Sequence, residues 1–203
     1  MDKRKIDQGT EQLILEAARK VFLTKGLMGA RMQDIADEAG INKALLHYYF
    51  RNKQKLFETI FSELAQRFIP RLNEIFESDA SLFQKIEMFC GAYISKINEN
   101  PFIPLFVLNE INRPGTFVKN MWAGKKPMIG QLVQQIEDEA RKGNIRSISA
   151  DQLVMNMISL CVFPFLGKPM FQWTLSLNDT KYKQIIEERK KAVPEFIIES
   201  IRK

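Results

Sequence analysis

Apolar residues along this chain recur every three to four positions and nowhere alternate with period two over a useful length, a pattern that predicts an all-α protein. A first helix is expected from about Thr10 to Lys25, with Leu13, Ile14, Ala17, Ala18, Val21 and Phe22 on one stripe. Gly26 supplies a left-handed stop. A short second helix covers about Met32 to Ala39, with Ile35, Ala36 and Ala39 inward. A third runs from Lys43 to about Phe50, with Asn42 as its N-cap and Ile41 and Leu46 at the two staple positions. A fourth begins after Asn52 and continues through Leu56, Ile60, Leu64 and Phe68. Pro70 is expected to kink or interrupt it.

The remainder predicts five or six more helices. One starts near Ser81, where Ser81 and Gln84 form a capping box, and ends near Asn98. Asn100-Pro101 opens the next with proline at its first position. Another spans about Pro127 to Lys142 and stops at Gly143. Ser149 to Leu166 carries a Ser149/Gln152 capping box and an Ile148/Leu153 staple, and the last helix runs from about Asp179 to the end with Pro194 as a break. These elements predict two domains, 8–68 and 69–203, joined through a shared fourth helix.

With 203 residues, 45% of them apolar, the chain can bury a sizeable core. Its net charge is +6, and residues 1–60 hold 11 Lys/Arg against 8 Asp/Glu. Half of the excess charge therefore sits on less than a third of the length, a mild pointer to a polyanionic partner. Cys90 and Cys161 lie in apolar helical stretches and read as buried reduced thiols rather than a disulfide or metal site. The N-terminus lacks the apolar run of a signal peptide. The most apolar stretch, Leu153 to Leu166, is shorter than the ~20 residues a membrane span needs. A soluble cytoplasmic chain is expected.

The segment from Gln33 to Phe50 has the grammar of a helix-turn-helix, with the full motif at about 31–50. Ala36 is small where two helices cross, Gly40 sits where positive φ is expected, and Ile41 and Leu46 pack the second helix on the first. Asn42, Lys43, Ala44, Leu45, His47 and Tyr48 would face outward. They combine a cation, hydrogen-bonding groups, small apolar groups able to meet a thymine methyl, and an aromatic, a set suited to the major groove of duplex DNA.

On Phe22, Gly26, Ile35-Ala36, Ala39-Gly40-Ile41, Lys43, Tyr48-Tyr49-Phe50, Lys53 and Leu56-Phe57, the stretch from about Gln8 to Phe68 resembles the DNA-binding domain of the TetR/AcrR family of bacterial regulators. Gly143-Asn144-Ile145-Arg146 resembles a loop common before the penultimate long helix of that family. The resemblance implies DNA-contacting roles for Lys43, His47, Tyr48 and Lys53, with Lys43 and Ala44 near base edges and His47 and Lys53 near phosphates. Arg31, Gln33, Asn42 and Leu45 complete the candidate DNA-binding set. Two positions depart from the family pattern. Ala30-Arg31 stands where the family usually has Thr or Ser, which removes a hydroxyl cap and leaves Arg31 as a substitute cation. His47 replaces an aromatic. The arm Lys3-Arg4-Lys5 is equally compatible with a sequence-independent phosphate contact and with a solubilising tail.

The C-terminal two thirds are rich in aromatics and Met at helical spacing, compatible with ordinary core or with an adaptable apolar cavity. The resemblance implies a small-molecule effector there, with Phe89, Tyr93, Phe106, Trp122 and Phe163 as candidate lining. It also implies a homodimer through the last two long helices, with Leu153, Met157, Leu160, Tyr182, Ile186, Val193, Phe196 and Ile197 as candidate interface. The expected function is a transcriptional repressor released from double-stranded operator DNA by its effector. The alternative is a helical protein-interaction module that has lost DNA binding. No cofactor or metal motif points to an enzyme.

Overall fold

The computed structural model describes residues 3–111 and 129–203. The helices are α1 (Lys3–Gly29), α2 (Met32–Glu38), α3 (Lys43–Tyr49), α4 (Lys53–Glu77), α5 (Leu82–Glu99), α6 (Ile103–Ile111), α7 (Gly130–Lys142), α8 (Ala150–Leu166), α9 (Lys168–Thr174) and α10 (Asp179–Ile201). Among the described residues the extended pairing is a single Ile145–Arg202 bridge, where Arg146 N donates to Ile201 O at 2.8 Å. The fold is all-α.

The chain forms two compact units. One runs up to Arg67 and takes in the stretch from Leu105; the other comprises Phe68–Pro104 and the residues from 129 on. Helix α4 contributes to both.

In the first unit, Ile14, Ala17, Ala18, Val21 and Phe22 are buried as their spacing predicts, whereas Leu13 is exposed and Leu15 takes the inward place. Gly26 breaks the helical path of α1 at φ 67, ψ 168. Ion pairs fasten α1 to its neighbours: Lys25–Asp34 (2.8 Å) and Lys20–Glu38 (3.1 Å) to α2, and Arg19–Glu63 (2.5 Å) to α4. Phe57 joins Phe22, centroids 5.6 Å apart, to Phe106, 3.7 Å away.

In the second unit α5 packs on α10 and α8 around Ile86, Phe89, Ile94, Leu153, Met157, Ile186 and Ile197. Ser81 and Gln84 form the predicted capping box. The Ser149 hydroxyl accepts no such bond, so the second predicted box does not form. Proline positions differ from expectation. Helix α6 begins at Ile103, not at Pro101, and α4 and α10 continue through Pro70 and Pro194. Pro70 is exposed, so the Gln66 carbonyl it cannot satisfy is open to water. Inside α8, Pro164 leaves the Leu160 carbonyl without its helical donor, and Arg189 Nη2 donates to it at 2.7 Å. Tyr182 Oη donates to Pro164 O at 2.5 Å. These two bonds join α10 to α8 at the turn where Pro164 removes a backbone donor. Helix α9, which periodicity does not mark, follows Gly167 with Pro169 in its first turn. Among the described residues no single helix is long and apolar enough to cross a membrane.

Candidate nucleic-acid interface

The interface is built on α2, its turn and α3. Ile35, Ala36 and Ala39 are buried, and Ala36 offers only a methyl where the chain crosses itself. Gly40 has φ 66, a conformation that costs an L-residue with a Cβ roughly 1–2 kcal/mol. Ile41 N then donates back to Ala36 O at 3.0 Å, closing the turn. Asn42 caps α3: its Oδ1 accepts from Leu45 N at 2.8 Å. Leu46 and Phe50 are buried and anchor α3 on its inner side.

The outer side follows by helical periodicity. Asn42, Lys43, Ala44, Leu45, His47 and Tyr48 are all exposed, Tyr48 at 78%. The Tyr48 ring stands edge-on to Tyr49, 5.4 Å between centroids. His47 Nδ1 lies 3.1 Å from Arg51 O. A carbonyl only accepts, so Nδ1 carries the proton and Nε2 is left for an external group.

Arg31 and Gln33 are exposed on α2 and its cap. Arg31 N donates to Asp34 Oδ2 at 2.9 Å. Arginine has no side-chain acceptor, so the reciprocal half of the capping box is missing, as the absence of Ser or Thr there implies. Gln33 Nε2 donates to Asp37 Oδ1 at 2.7 Å. The Lys25 ammonium, and then the Arg31 backbone N–H, hold the Asp34 carboxyl below its usual range. Lys53 departs from the phosphate-facing expectation. Its ammonium donates to Ala30 O at 2.9 Å and Met28 O at 3.3 Å. Helix α1 begins at Lys3, and the side chains of the Lys3-Arg4-Lys5 arm lie outside the described residues.

The candidate effector residues scatter. Phe89 is buried, stacked on Phe76 at 5.7 Å and beside Tyr93 at 5.1 Å, and Tyr93 meets Phe68 at 5.5 Å. Burial pushes the Tyr93 phenol up to about 12. Phe106 belongs instead to the first unit, against Phe57 and Phe61. Phe163 is 50% exposed and meets Phe171 edge-on. Trp122 lies outside the described residues.

Of the candidate dimer residues, Leu153, Met157, Tyr182, Ile186, Val193 and Ile197 are buried in the core of their own unit, Leu160 is half-buried, and Phe196 is 66% exposed. Side chains already packed inside the chain are not free to meet a second copy. The open apolar positions of α8 are Met155, Ile158 and Phe163. Cys90 and Cys161 are buried; the neighbouring Cys161 thiol and then burial raise the Cys90 thiol far above its ordinary range.

Comparison with known proteins places this geometry. The family described as "Bacterial regulatory proteins, tetR family" matches residues 14–60. The probable HTH-type transcriptional regulator YttP of Bacillus subtilis (strain 168) is 24% identical over 189 residues, 89% of this chain and 90% of that protein. Two solved structures share the fold. The ketosteroid transcriptional regulator KstR2 of Mycobacterium tuberculosis has TM-score 0.69 at 17% identity, covering 95% of each chain. The regulator FadR of Bacillus subtilis in complex with stearoyl-CoA has TM-score 0.62 at 16% identity, covering 92% of this chain and 97% of its own.

Proposed function

We propose that this chain, whose residues 14–60 match the tetR family of bacterial regulatory proteins, is a homodimeric transcriptional repressor that leaves its operator when a small apolar effector binds. One observation carries the DNA-binding part: α3 is anchored by buried Leu46 and Phe50 while Lys43, Ala44, Leu45, His47 and Tyr48 are all open to solvent. Lys43 and Ala44 meet base edges, His47 presents its Nε2 edge to the phosphate backbone, and Arg31 adds a backbone contact at the start of α2.

The second unit is the sensor. Its Phe68, Phe76, Phe89 and Tyr93 cluster supplies aromatic walls, and the stearoyl-CoA complex of FadR supports an effector with a long apolar part. Helix α4 runs unbroken from Lys53 to Glu77 and contributes to both units, so it is the element through which occupancy of the sensor changes the reading helix. A coupling of ~1–3 kcal/mol lowers operator affinity about 5- to 150-fold. Met155, Ile158 and Phe163 on α8 with Phe196 on α10 form the face for the second copy. Two reading helices then sit about one DNA turn apart, ~34–36 Å, on a pseudo-palindromic site.

A gel shift against the DNA upstream of the protein's own gene tests this reading. Sequence-specific binding that weakens steeply with salt and is reduced by Lys43→Ala supports it. Equal binding to unrelated duplexes, or none at low salt, refutes it and favours a protein-interaction role for the same helices.

A further inference from the structure

We infer that Lys53 is a positioning residue, a clamp that fastens the first turn of α4 to the last turn of α1 and thereby sets the start of α2 for DNA reading. The inference rests on the DNA-binding reading above and changes the role of one of its residues. Lys53 is the first residue of α4, just after the cap Asn52, whose Oδ1 accepts from Lys55 N at 2.8 Å. A cation at that end faces the positive pole of its own helix, which disfavours it. The compensation lies across the chain. The half-buried side chain donates to Ala30 O at 2.9 Å and Met28 O at 3.3 Å. Met28 is in the final turn of α1 and Ala30 directly follows it, so these carbonyls belong to a negative helix pole, where a lysine is favoured.

The clamped stretch needs an external tie. Gly26 at φ 67 breaks α1 just before it, and Met28 is 84% exposed and adds little packing. Ala30 is buried, and its N–H returns to Gly26 O at 3.1 Å. Arg31 follows at once as the cap of α2. Lys53 therefore holds the carbonyls on either side of Gly29 and fixes where α2 begins. Because the same residue starts α4, any displacement of that helix is delivered first to this turn.

A clamp and a phosphate contact differ in salt dependence. Each phosphate neutralised by a lysine contributes about 0.9 to the slope of log affinity against log salt, so a contact in both protomers contributes about 1.8. The test measures operator affinity from 50 to 300 mM salt for the wild type, Lys53→Met, Lys53→Gln and, as a phosphate or base contact for comparison, Lys43→Ala. Amide exchange over residues 27–32 is measured on the free proteins. For the clamp, Lys53→Met weakens binding with an unchanged slope, exchange over 27–32 accelerates about tenfold, as loss of charge-assisted bonds implies, and Lys53→Gln, which keeps a donor, stays closer to wild type. A slope lowered by about 1.8 in both Lys53 variants, or unaltered exchange in Lys53→Met, overturns the clamp. The exchange arm needs no DNA, so absence of operator binding by the wild type would sink the repressor reading while leaving the clamp decided.

Discussion

Phe106 separates two accounts of the middle of the chain. By family resemblance it is a candidate effector contact; in the structure its ring lies 3.7 Å from Phe57 and 6.1 Å from Phe61 and is 3% exposed. Truncation to alanine removes about 1.5–3 kcal/mol of apolar transfer and about 0.5–1.5 kcal/mol for a close ring pair. A total near 3–4 kcal/mol sits within the ~3–5 kcal/mol typical of buried Phe→Ala changes. With a urea dependence of about 2 kcal/mol per molar, the midpoint falls by roughly 1.5–2 M. Because the ring packs in the first unit, the loss should be local. Hydrogen exchange should accelerate in peptides covering 14–61 and stay unchanged in peptides from 182–201. Phe106→Leu, which keeps most of the volume, should cost less than about half as much. Destabilisation under ~1 kcal/mol, with exchange over 14–61 unaltered, refutes the packing argument and returns Phe106 to the effector candidates.

Gly40→Ala should cost roughly 1–2 kcal/mol in thermal or urea unfolding through backbone strain alone, because a Cβ there meets no atom within 4 Å. Gly40→Asn should cost less. Asn42→Ala should lose ~1 kcal/mol of cap energy and weaken operator binding in gel shift, whereas Asn42→Ser restores the cap and most of the affinity. Asp34 has its carboxyl lowered by Lys25 and the Arg31 N–H, so its contribution to stability is present above the ordinary value of 3.8 and is lost as pH falls below it. A melting-temperature profile against pH should accordingly be flatter at the acid end for Asp34→Asn. Cys90 and Cys161 should resist a thiol reagent in the native protein and both react in denaturant, since both are buried away from the reagent and the Cys90 thiol, with its pKa raised, supplies almost no thiolate.

Local signals in the sequence carried the elements whose ends are set by short-range chemistry. Asn42, Ser81, Gly40 and Gly143 act within four residues of themselves, and each does in the structure what its residue type implies. Prolines were harder to read, because their effect depends on who satisfies the orphaned carbonyl. Pro164 is tolerated inside α8 since Arg189, 25 residues later, donates to Leu160 O. Nothing near Pro164 in the sequence announces that donor. Ser149 shows the converse, a good local signal whose hydroxyl forms no cap bond.

The reading face was legible because α3 is short and one-sided. With Leu46 and Phe50 inward, a period of 3.6 leaves Lys43, Ala44, His47 and Tyr48 outward. The partner face was not, because α8 carries apolar residues on more than one side, with Asn156 and Ser159 the polar exceptions beyond its first turn. Periodicity cannot tell the stripe Leu153, Met157, Cys161 from the stripe Met155, Ile158, Phe163 when both are greasy, and only packing against α5 and α10 shows that the first is core. Lys53 falls between these cases. Its matching position suggested a phosphate contact, yet a cation on the first residue of a helix was itself a warning, because its own dipole disfavours it. An electrostatic misfit of that kind is readable without a structure and says that a compensating acceptor exists elsewhere. The fold is needed to identify that acceptor as the end of α1.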